Sequence, residues 1–225
     1  MVIRRRRGAE PAPAPVLDLH GAIQRLAARR PVFHSEADFQ HALAWQIHAD
    51  HPDADIRLET RPLPEENLRL DLQVGLEGRL IAVECKYLVR GLDIRVAGER
   101  FTLRTQSAHD TRRYDTIKDV ARVEHLVEHG AADEGFVVAV TNDAGHWKPA
   151  TRPDTFDADF RLHEGRIMAG RLAWADGTGP GTMKGREAPI DLDGAYRIDW
   201  RDFATPSKGP AGKFRYLLIE VPPRL

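Results

Sequence analysis

The chain has 225 residues, a formal net charge of −1 and a single cysteine. A chain of this length fits one α/β domain with additions, or two small domains. The near-neutral charge argues against a strong non-specific nucleic-acid binder, one cysteine excludes an internal disulfide framework, and no run approaches the roughly 18 apolar residues of a membrane span. We therefore expect a globular cytoplasmic protein of the α/β class with no membrane partner.

The first residues are basic and rich in proline. The run Arg4–Arg7 is not followed by an apolar stretch, so it does not resemble a secretory signal. We predict a disordered basic, Pro-rich arm over residues 1–15, a core over residues 16–145, and an extension over residues 146–225 that packs on the core.

The first predicted helix begins after Ser35, a good N-cap, and runs to about Ala49. Its apolar stripe consists of Phe39, Ala42, Leu43, Gln46 and Ile47. Glu36 lies on that stripe one turn earlier. Two interpretations stay open for this acid: it points toward the core side as part of a site, or it only stabilises the helix dipole from the first turn.

Residues 55–60 are predicted to form a strand, and the runs 68–74 and 80–88 are predicted to form an antiparallel hairpin. If Glu77 and Gly78 form a two-residue turn, counting outward places Asp71 opposite Glu84. Facing side chains in such a pair have Cβ atoms about 5 Å apart. Lys86 lies two residues beyond Glu84 and therefore projects from the same face.

Two carboxylates that close repel each other unless a cation lies between them, and Mg²⁺ or Mn²⁺ is the natural choice for oxygen ligands. The hairpin is thus consistent with a hydrolytic metal site built from Asp71, Glu84 and Lys86. The alternative is a strand with one solvated face, where Glu84 and Lys86 point to water and Asp71 pairs with an arginine. Both interpretations stay open.

The remaining elements follow in chain order. Runs 94–96 and 100–103 suggest an exposed hairpin around Ala97-Gly98, and a long helix is predicted from Thr105 or Ser107 to His129. The wholly apolar run 135–141 predicts a strand buried on both faces. Residues 156–161, 167–174 and 189–192 are strand-like, and residues 214–221 form a final strand, so the extension is expected to be rich in β-structure.

Other residue types suit packing or solvation better than chemistry. His125 and His129 are one turn apart and could bind zinc, but no HExxH run or partner thiolate accompanies them, so solvated histidines are expected. Cys85 alternates to the face opposite Glu84, which predicts a core thiol. The tryptophans are scattered, which favours core packing over base stacking. Those considered are Trp147, Trp174 and Trp200.

The predicted elements over about residues 35–141 resemble the αβββαβ arrangement of the PD-(D/E)XK nuclease superfamily. In order, they are a helix with Glu36, a strand, a strand with Asp71, a strand with Glu84-Cys85-Lys86, a long helix and a buried strand. Several runs also look like a bacterial group of uncharacterised function with this fold. The resemblance implies a restriction-endonuclease-like core with a central mixed sheet.

The resemblance also implies roles for individual residues. Asp71 and Glu84 would hold Mg²⁺ (or Mn²⁺), Glu36 would complete the metal shell, and Lys86 would orient and activate the attacking water. Gln106 resembles the glutamine on the following helix of the RecB-like branch, with Tyr114 as a candidate companion; the spacing is not the usual one.

The implied function is metal-dependent hydrolysis of phosphodiester bonds in nucleic acid, with DNA favoured. The alternative is a catalytically inactive module of the same fold that binds nucleic acid or a protein. A homodimer is left open.

Overall fold

The computed structural model describes residues 17–152 and 154–224, so the predicted arm over residues 1–15 lies outside the described residues. The helices in the described part are α1 (Leu19–Arg29), α2 (Glu36–Asp50), α3 (His109–Glu128), α4 (Ala144–Trp147) and α5 (Pro180–Met183). The strands are β1 (Asp55–Thr60), β2 (Leu70–Leu76), β3 (Arg79–Leu88), β4 (Leu92–Val96), β5 (Glu99–Leu103), β6 (Glu134–Thr141), β7 (Ile167–Leu172), β8 (Ile190–Arg197), β9 (Trp200–Ala204) and β10 (Phe214–Val221).

The central element is a six-stranded sheet with the strand order β1-β2-β3-β6-β10-β9. Strands β3 and β6 are parallel, and every other neighbouring pair in this sheet is antiparallel. Two separate two-stranded sheets, the β4–β5 hairpin and the β7–β8 pair, lie outside it. The prediction of an α/β protein with a central mixed sheet is therefore confirmed.

The β2–β3 hairpin has the register expected from the sequence. Glu77 and Gly78 both have positive φ angles, 51° and 78°, as a two-residue turn that matches the strand twist requires. Leu76 accordingly faces Arg79, and the pairing continues outward to the pair formed by Leu72 and Val83. The strand pairing ends there, and Asp71 and Glu84 are the next residues along the two strands. The Asp71 side chain bonds to the backbone N–H of Cys85.

Side-chain alternation along β3 separates the core into two clusters, one on each face of the sheet. Val83, Cys85 and Tyr87 pack with α1 and α2 on one face. The alternate positions face α3, whose apolar stripe packs on Ala82 and on β6. Cys85 is fully buried, which confirms the predicted core thiol. Glu84 and Lys86 consequently project on the side of α3.

The first long helix also begins where the sequence predicts. The hydroxyl of Ser35 accepts a hydrogen bond from the backbone N–H of Asp38, and α2 starts at Glu36. The sequence analysis did not predict α1, although its buried residues have helical spacing. They are Leu19, Ala22, Ile23, Leu26 and Ala27.

The C-terminal part is only partly as predicted. Residues 156–161 are not a strand: Asp157 bonds to the Arg113 and Arg161 guanidiniums, and Ala158–Phe160 forms a 3-10 turn instead. Strand β10 pairs with β6, so it belongs to the central sheet. The domain boundary at residue 145 stays a prediction. Within the described residues, none of the helices combines the length and apolarity that crossing a bilayer requires.

A candidate metal and catalytic site at the end of strand β3

The candidate site lies where β3 extends beyond its pairing with β2. Beyond Val83, the amides of β3 on the β2 side are bonded by side chains instead of by a strand. Asp71 Oδ2 accepts from the N–H of Cys85 at 2.7 Å, and Glu36 Oε2 accepts from the N–H of Tyr87 at 2.8 Å. Each carboxylate uses one oxygen in this way and has a second oxygen for another ligand.

Glu84 is the most buried acid of the site, with only 1% of its surface exposed. Burial, followed by the nearby carboxylates of Asp119 and Asp71, raises its pKa to about 9. Arg122 lies 3.1 Å from Glu84 Oε1, but this oxygen receives no hydrogen bond of good geometry within the described residues. This environment therefore favours the neutral form of Glu84.

Lys86 is an ammonium held by carboxylates. Burial alone would lower the pKa of Lys86, but the carboxylates of Asp119, Glu36 and Glu84 outweigh burial and raise this pKa above its ordinary value. The Lys86 Nζ lies 2.5 Å from Asp119 Oδ2. A lysine that stays charged can donate hydrogen bonds and stabilise negative charge, but it cannot accept a proton from water.

Glu36 reaches the site from the opposite face of the sheet. Its residue surface is exposed because it occupies the first turn of α2, while its carboxylate points in toward β3. Burial, then the charges of Asp71 and Asp119, raise the pKa of Glu36, although the charge of Lys86 opposes this shift. Gln40, one turn later, donates to the carbonyl of Asp71 at 2.9 Å and so ties α2 to β2.

The four carboxylates and two cations of this site leave an excess of negative charge. We call the set Glu36, Asp71, Glu84 and Asp119, together with Lys86 and Arg122, the carboxylate cluster. If every member were ionised, its net charge would be −2. Burial is the largest cause of the raised pKa values of Glu36 and Glu84, and the neighbouring carboxylates add to it.

A divalent cation suits the carboxylate cluster by charge and by donor type, since carboxylate oxygens are the ligands that Mg²⁺ and Mn²⁺ prefer. The fit is not preformed. In the described part of the chain, no three acids of the cluster bring ligand atoms within 4.8 Å of one another. Arg122 lies 2.9 Å from Asp119 Oδ1 as well as close to Glu84, so it occupies space between these two carboxylates.

A polar groove leads to the cluster. A cavity of about 340 Å³ is lined by Glu36, Lys86 and Asp119, with Arg112, Lys118 and Arg122 around them. Two further cavities, of about 400 and 570 Å³, share Lys118 and Arg122 with it. These additional cavities also bring Arg186 and Arg69 to the groove. The groove thus carries six basic side chains, three of them from α3, and five acids line it as well. The acids are Glu36, Glu66, Asp115, Asp119 and Glu187.

The predicted place of Gln106 on the long helix is wrong. Helix α3 begins at His109, and Gln106 precedes it in the connecting segment. There the Gln106 backbone N–H donates to Val89 O, and its side-chain oxygen accepts from Val89 N at 3.3 Å. Tyr114 is turned to another part of the molecule, where its hydroxyl donates to the carbonyl of Ala188. The structure therefore gives these two residues separate surroundings.

Two members of the cluster, Asp119 and Arg122, were not identified from the sequence. The signal for Asp119 was present: it falls on the buried stripe of α3, three residues after Thr116 and four before Val123, where an acid needs a partner. That the partner is Lys86 depends on how α3 packs on β3. The alternative of a solvated strand face is wrong, because Glu84 is buried and Lys86 is paired with Asp119.

The other candidates have mainly structural surroundings. Trp174 packs against Tyr114 and Phe160, and Trp147 packs against Trp200. These contacts agree with the expected core packing of the tryptophans.

Comparison of the chain with protein-family models, with curated proteins and with solved structures finds no match in any of the three. The functional assignment therefore depends on the geometry and chemistry of the site.

Proposed function

We propose that this protein is a divalent-cation-dependent phosphodiester hydrolase that acts on nucleic acid, with DNA as the preferred substrate. The observation that carries the proposal is the convergence of Asp71, Glu36 and Glu84 with Lys86 at the end of β3, with an excess of negative charge. The order α2-β1-β2-β3-α3-β6, with the β4–β5 hairpin inserted between β3 and α3, supports the assignment of a restriction-endonuclease-like PD-(D/E)XK core.

In this proposal Asp71, Glu84 and Glu36 would hold Mg²⁺ or Mn²⁺ through carboxylate oxygens. The bound cation would supply Lewis-acid stabilisation of the phosphate and lower the pKa of a bound water. Because the cluster already contains Arg122, the side chain of Arg122 would have to withdraw from Glu84 when the cation binds. Its guanidinium would then face the groove, where phosphate groups are expected.

Lys86 has a defined part in the proposed reaction. Its ammonium would donate to the attacking water or to a phosphate oxygen and stabilise negative charge as it develops there. The raised pKa of Lys86 excludes it as the proton acceptor near neutral pH. We therefore assign it orientation and charge stabilisation, and the proton of the water has to pass to another base.

The groove supports a polymeric, anionic substrate. Arg69, Arg112, Lys118, Arg122 and Arg186 line the three adjoining cavities. Two of these side chains also pair with acids of the lining: Arg186 with Asp115, and Arg122 with Asp119. Basic side chains along a groove neutralise successive phosphates and concentrate an anionic polymer, even when the net charge of the protein is near zero.

The test is a cleavage assay with Mn²⁺ and Mg²⁺ on single-stranded, duplex and supercoiled DNA and on RNA. We expect cleavage of DNA that EDTA abolishes, and a loss of about 10²–10³-fold in rate for Lys86→Ala. Lys213→Ala is the matched control, because Lys213 pairs with Asp202 on the surface. Absence of cleavage of every substrate, with unaltered folding, would contradict the proposal.

A second candidate function is a catalytically inactive module that binds nucleic acid or a protein. The observation that favours it is that Lys86 and Arg122 already pair with Asp119, and that Arg122 lies beside Glu84 where a cation would have to bind. A titration with Mn²⁺ separates the two functions. Binding that Asp71→Asn removes favours the hydrolase, whereas retained nucleic-acid affinity without cation binding favours the module. Asp93→Asn, on the exposed β4–β5 hairpin, is the control.

A further inference from the structure

A second group of metal-ligating side chains lies on the last turns of α3, apart from the carboxylate cluster. His125, Glu128 and His129 each bring a ligand atom within 4.8 Å of the other two. In the described residues this is the one group of three histidine, cysteine or acidic side chains that meets this distance. The spacing i, i+3, i+4 places all three side chains on one face of the helix.

Each of the two imidazoles is hydrogen-bonded to oxygen atoms that act only as acceptors. These bonds determine which ring nitrogen carries the proton. His125 Nε2 lies 2.9 and 3.0 Å from the two carboxylate oxygens of Glu66. His129 Nδ1 lies 2.9 Å from the carbonyl oxygen of His125. A carbonyl and an ionised carboxylate do not donate, so these two nitrogens carry the protons. In the neutral imidazoles, which are the forms that bind a metal ion, the lone pairs are then on His125 Nδ1 and His129 Nε2.

This arrangement has the features of a metal site with an outer shell. A histidine ligand commonly donates its other ring N–H to a carboxylate or a backbone carbonyl, which orients the ring and makes the ligand nitrogen more basic. Glu66 performs this function for His125, and the backbone of α3 performs it for His129. Glu128 supplies the anionic oxygen, although it also pairs with Arg224 at 3.1 Å.

We propose that His125, Glu128 and His129 bind one Zn²⁺ ion per chain. Two imidazoles and one carboxylate form a ligand set that zinc accepts readily, whereas Mg²⁺ prefers oxygen ligands alone. Three protein ligands leave a fourth position, which the exposure of Glu128 and His129 makes accessible to water or to a small anion. The site therefore differs in metal preference from the carboxylate cluster.

The bound ion would strengthen the link between α3 and the segment that connects β1 with β2. Glu66 belongs to that segment, and the Glu66–His125 contact joins it to the helix. Three residues later, the carbonyl of Arg69 accepts a hydrogen bond from Arg122, a member of the carboxylate cluster. A Zn²⁺ ion on the last turns of α3 would thus help to hold one wall of the groove in place.

The test uses tag-free, EDTA-treated full-length protein titrated with Zn²⁺ by calorimetry and with Co²⁺ by visible absorption. We expect one ion per chain, a Co²⁺ spectrum typical of four-coordination by nitrogen and oxygen, and a higher melting temperature with Zn²⁺. His129→Ala should weaken binding more than about tenfold, and Glu66→Ala about tenfold through the outer shell. His48→Ala, an exposed histidine on α2, should have no effect.

His129 is exposed, so its replacement leaves the fold intact, which circular dichroism checks. No heat and no Co²⁺ spectrum would overturn the proposal. Binding that persists in His129→Ala would overturn it as well, because the ion would then be bound elsewhere. Asp71→Asn should leave Zn²⁺ binding unchanged, so the failure of the zinc site and the failure of the proposed hydrolase are separate results.

Discussion

Replacing Glu84 by glutamine should stabilise the cation-free protein, and the gain should grow with pH. The carboxyl of Glu84 has an ordinary pKa of 4.5, and in the fold this pKa is about 9, first because of burial and then because of Asp119 and Asp71. Between these two values the folded protein holds a proton that the unfolded chain has lost. The free energy of unfolding therefore falls as the pH rises through this window.

The size of the effect follows from the same two pKa values. Each pH unit in the window is equivalent to about 1.4 kcal/mol for one group. About 2.5 pH units separate pH 7 from the ordinary pKa, so Glu84 costs the folded state as much as about 3 kcal/mol at pH 7 and almost nothing near pH 4.5. Glutamine resembles the protonated acid in shape and keeps an oxygen beside Arg122, but it does not ionise in the unfolded chain.

The assay is urea unfolding of both proteins in EDTA at about pH 5 and about pH 7. We expect Glu84→Gln to gain up to about 3 kcal/mol over the natural protein between these pH values. Glu65→Gln, which changes an exposed acid, is the control and should follow the natural protein. If Glu84→Gln and the natural protein show the same pH dependence, then Glu84 is ionised in the fold and the argument from excess negative charge is wrong.

Three further predictions concern binding and packing. A cation must displace the proton of Glu84, so the apparent Mn²⁺ affinity should rise by up to about tenfold per pH unit from pH 6 to 8. Calorimetry measures this affinity, and an affinity that does not change with pH would contradict the prediction. Glu124→Ala should destabilise the protein by about 3 kcal/mol in urea unfolding. Glu124 is buried and accepts hydrogen bonds from two backbone amides and a tyrosine hydroxyl of β8. A loss below about 1 kcal/mol would contradict this prediction. Gly135→Ala should lower the free energy of unfolding by about 1–3 kcal/mol in the same assay. The added Cβ would lie 2.3 Å from Val123 Cγ1 and 2.9 Å from Ala82 O. An unchanged stability would show that α3 and β3 can move apart at little cost.

The hairpin that carries the candidate site could be predicted from sequence because local chemistry determines its register. Glu77-Gly78 adopts the left-handed turn, and the alternation of side chains then assigns each residue of β3 to one face. The same local reasoning predicted the β4–β5 hairpin, whose turn residues Ala97 and Gly98 also have positive φ angles.

The parts that could not be predicted depend on contacts distant in the chain. The pairing of Lys86 with Asp119 and the position of Arg122 follow from the packing of α3 on the sheet. The late start of α3 depends on hydrogen bonds between Gln106 and Val89, which leave the preceding segment extended. Residues 158–160 form a 3-10 turn next to Asp157, which is bonded to the guanidinium groups of Arg113 and Arg161. Local strand propensity does not predict these contacts.

The side chains of Asp71 and Glu36 also protect the protein against self-association. The backbone N–H groups of Cys85 and Tyr87 would otherwise be open to an extended segment of another molecule, and exposed strand edges of this kind promote aggregation. Alanine at either position would therefore have two effects: it would remove a carboxylate from the site, and it would expose the backbone N–H that this carboxylate covers. Asparagine at 71 and glutamine at 36 keep an acceptor oxygen for the amide, so they change the charge while the edge stays covered.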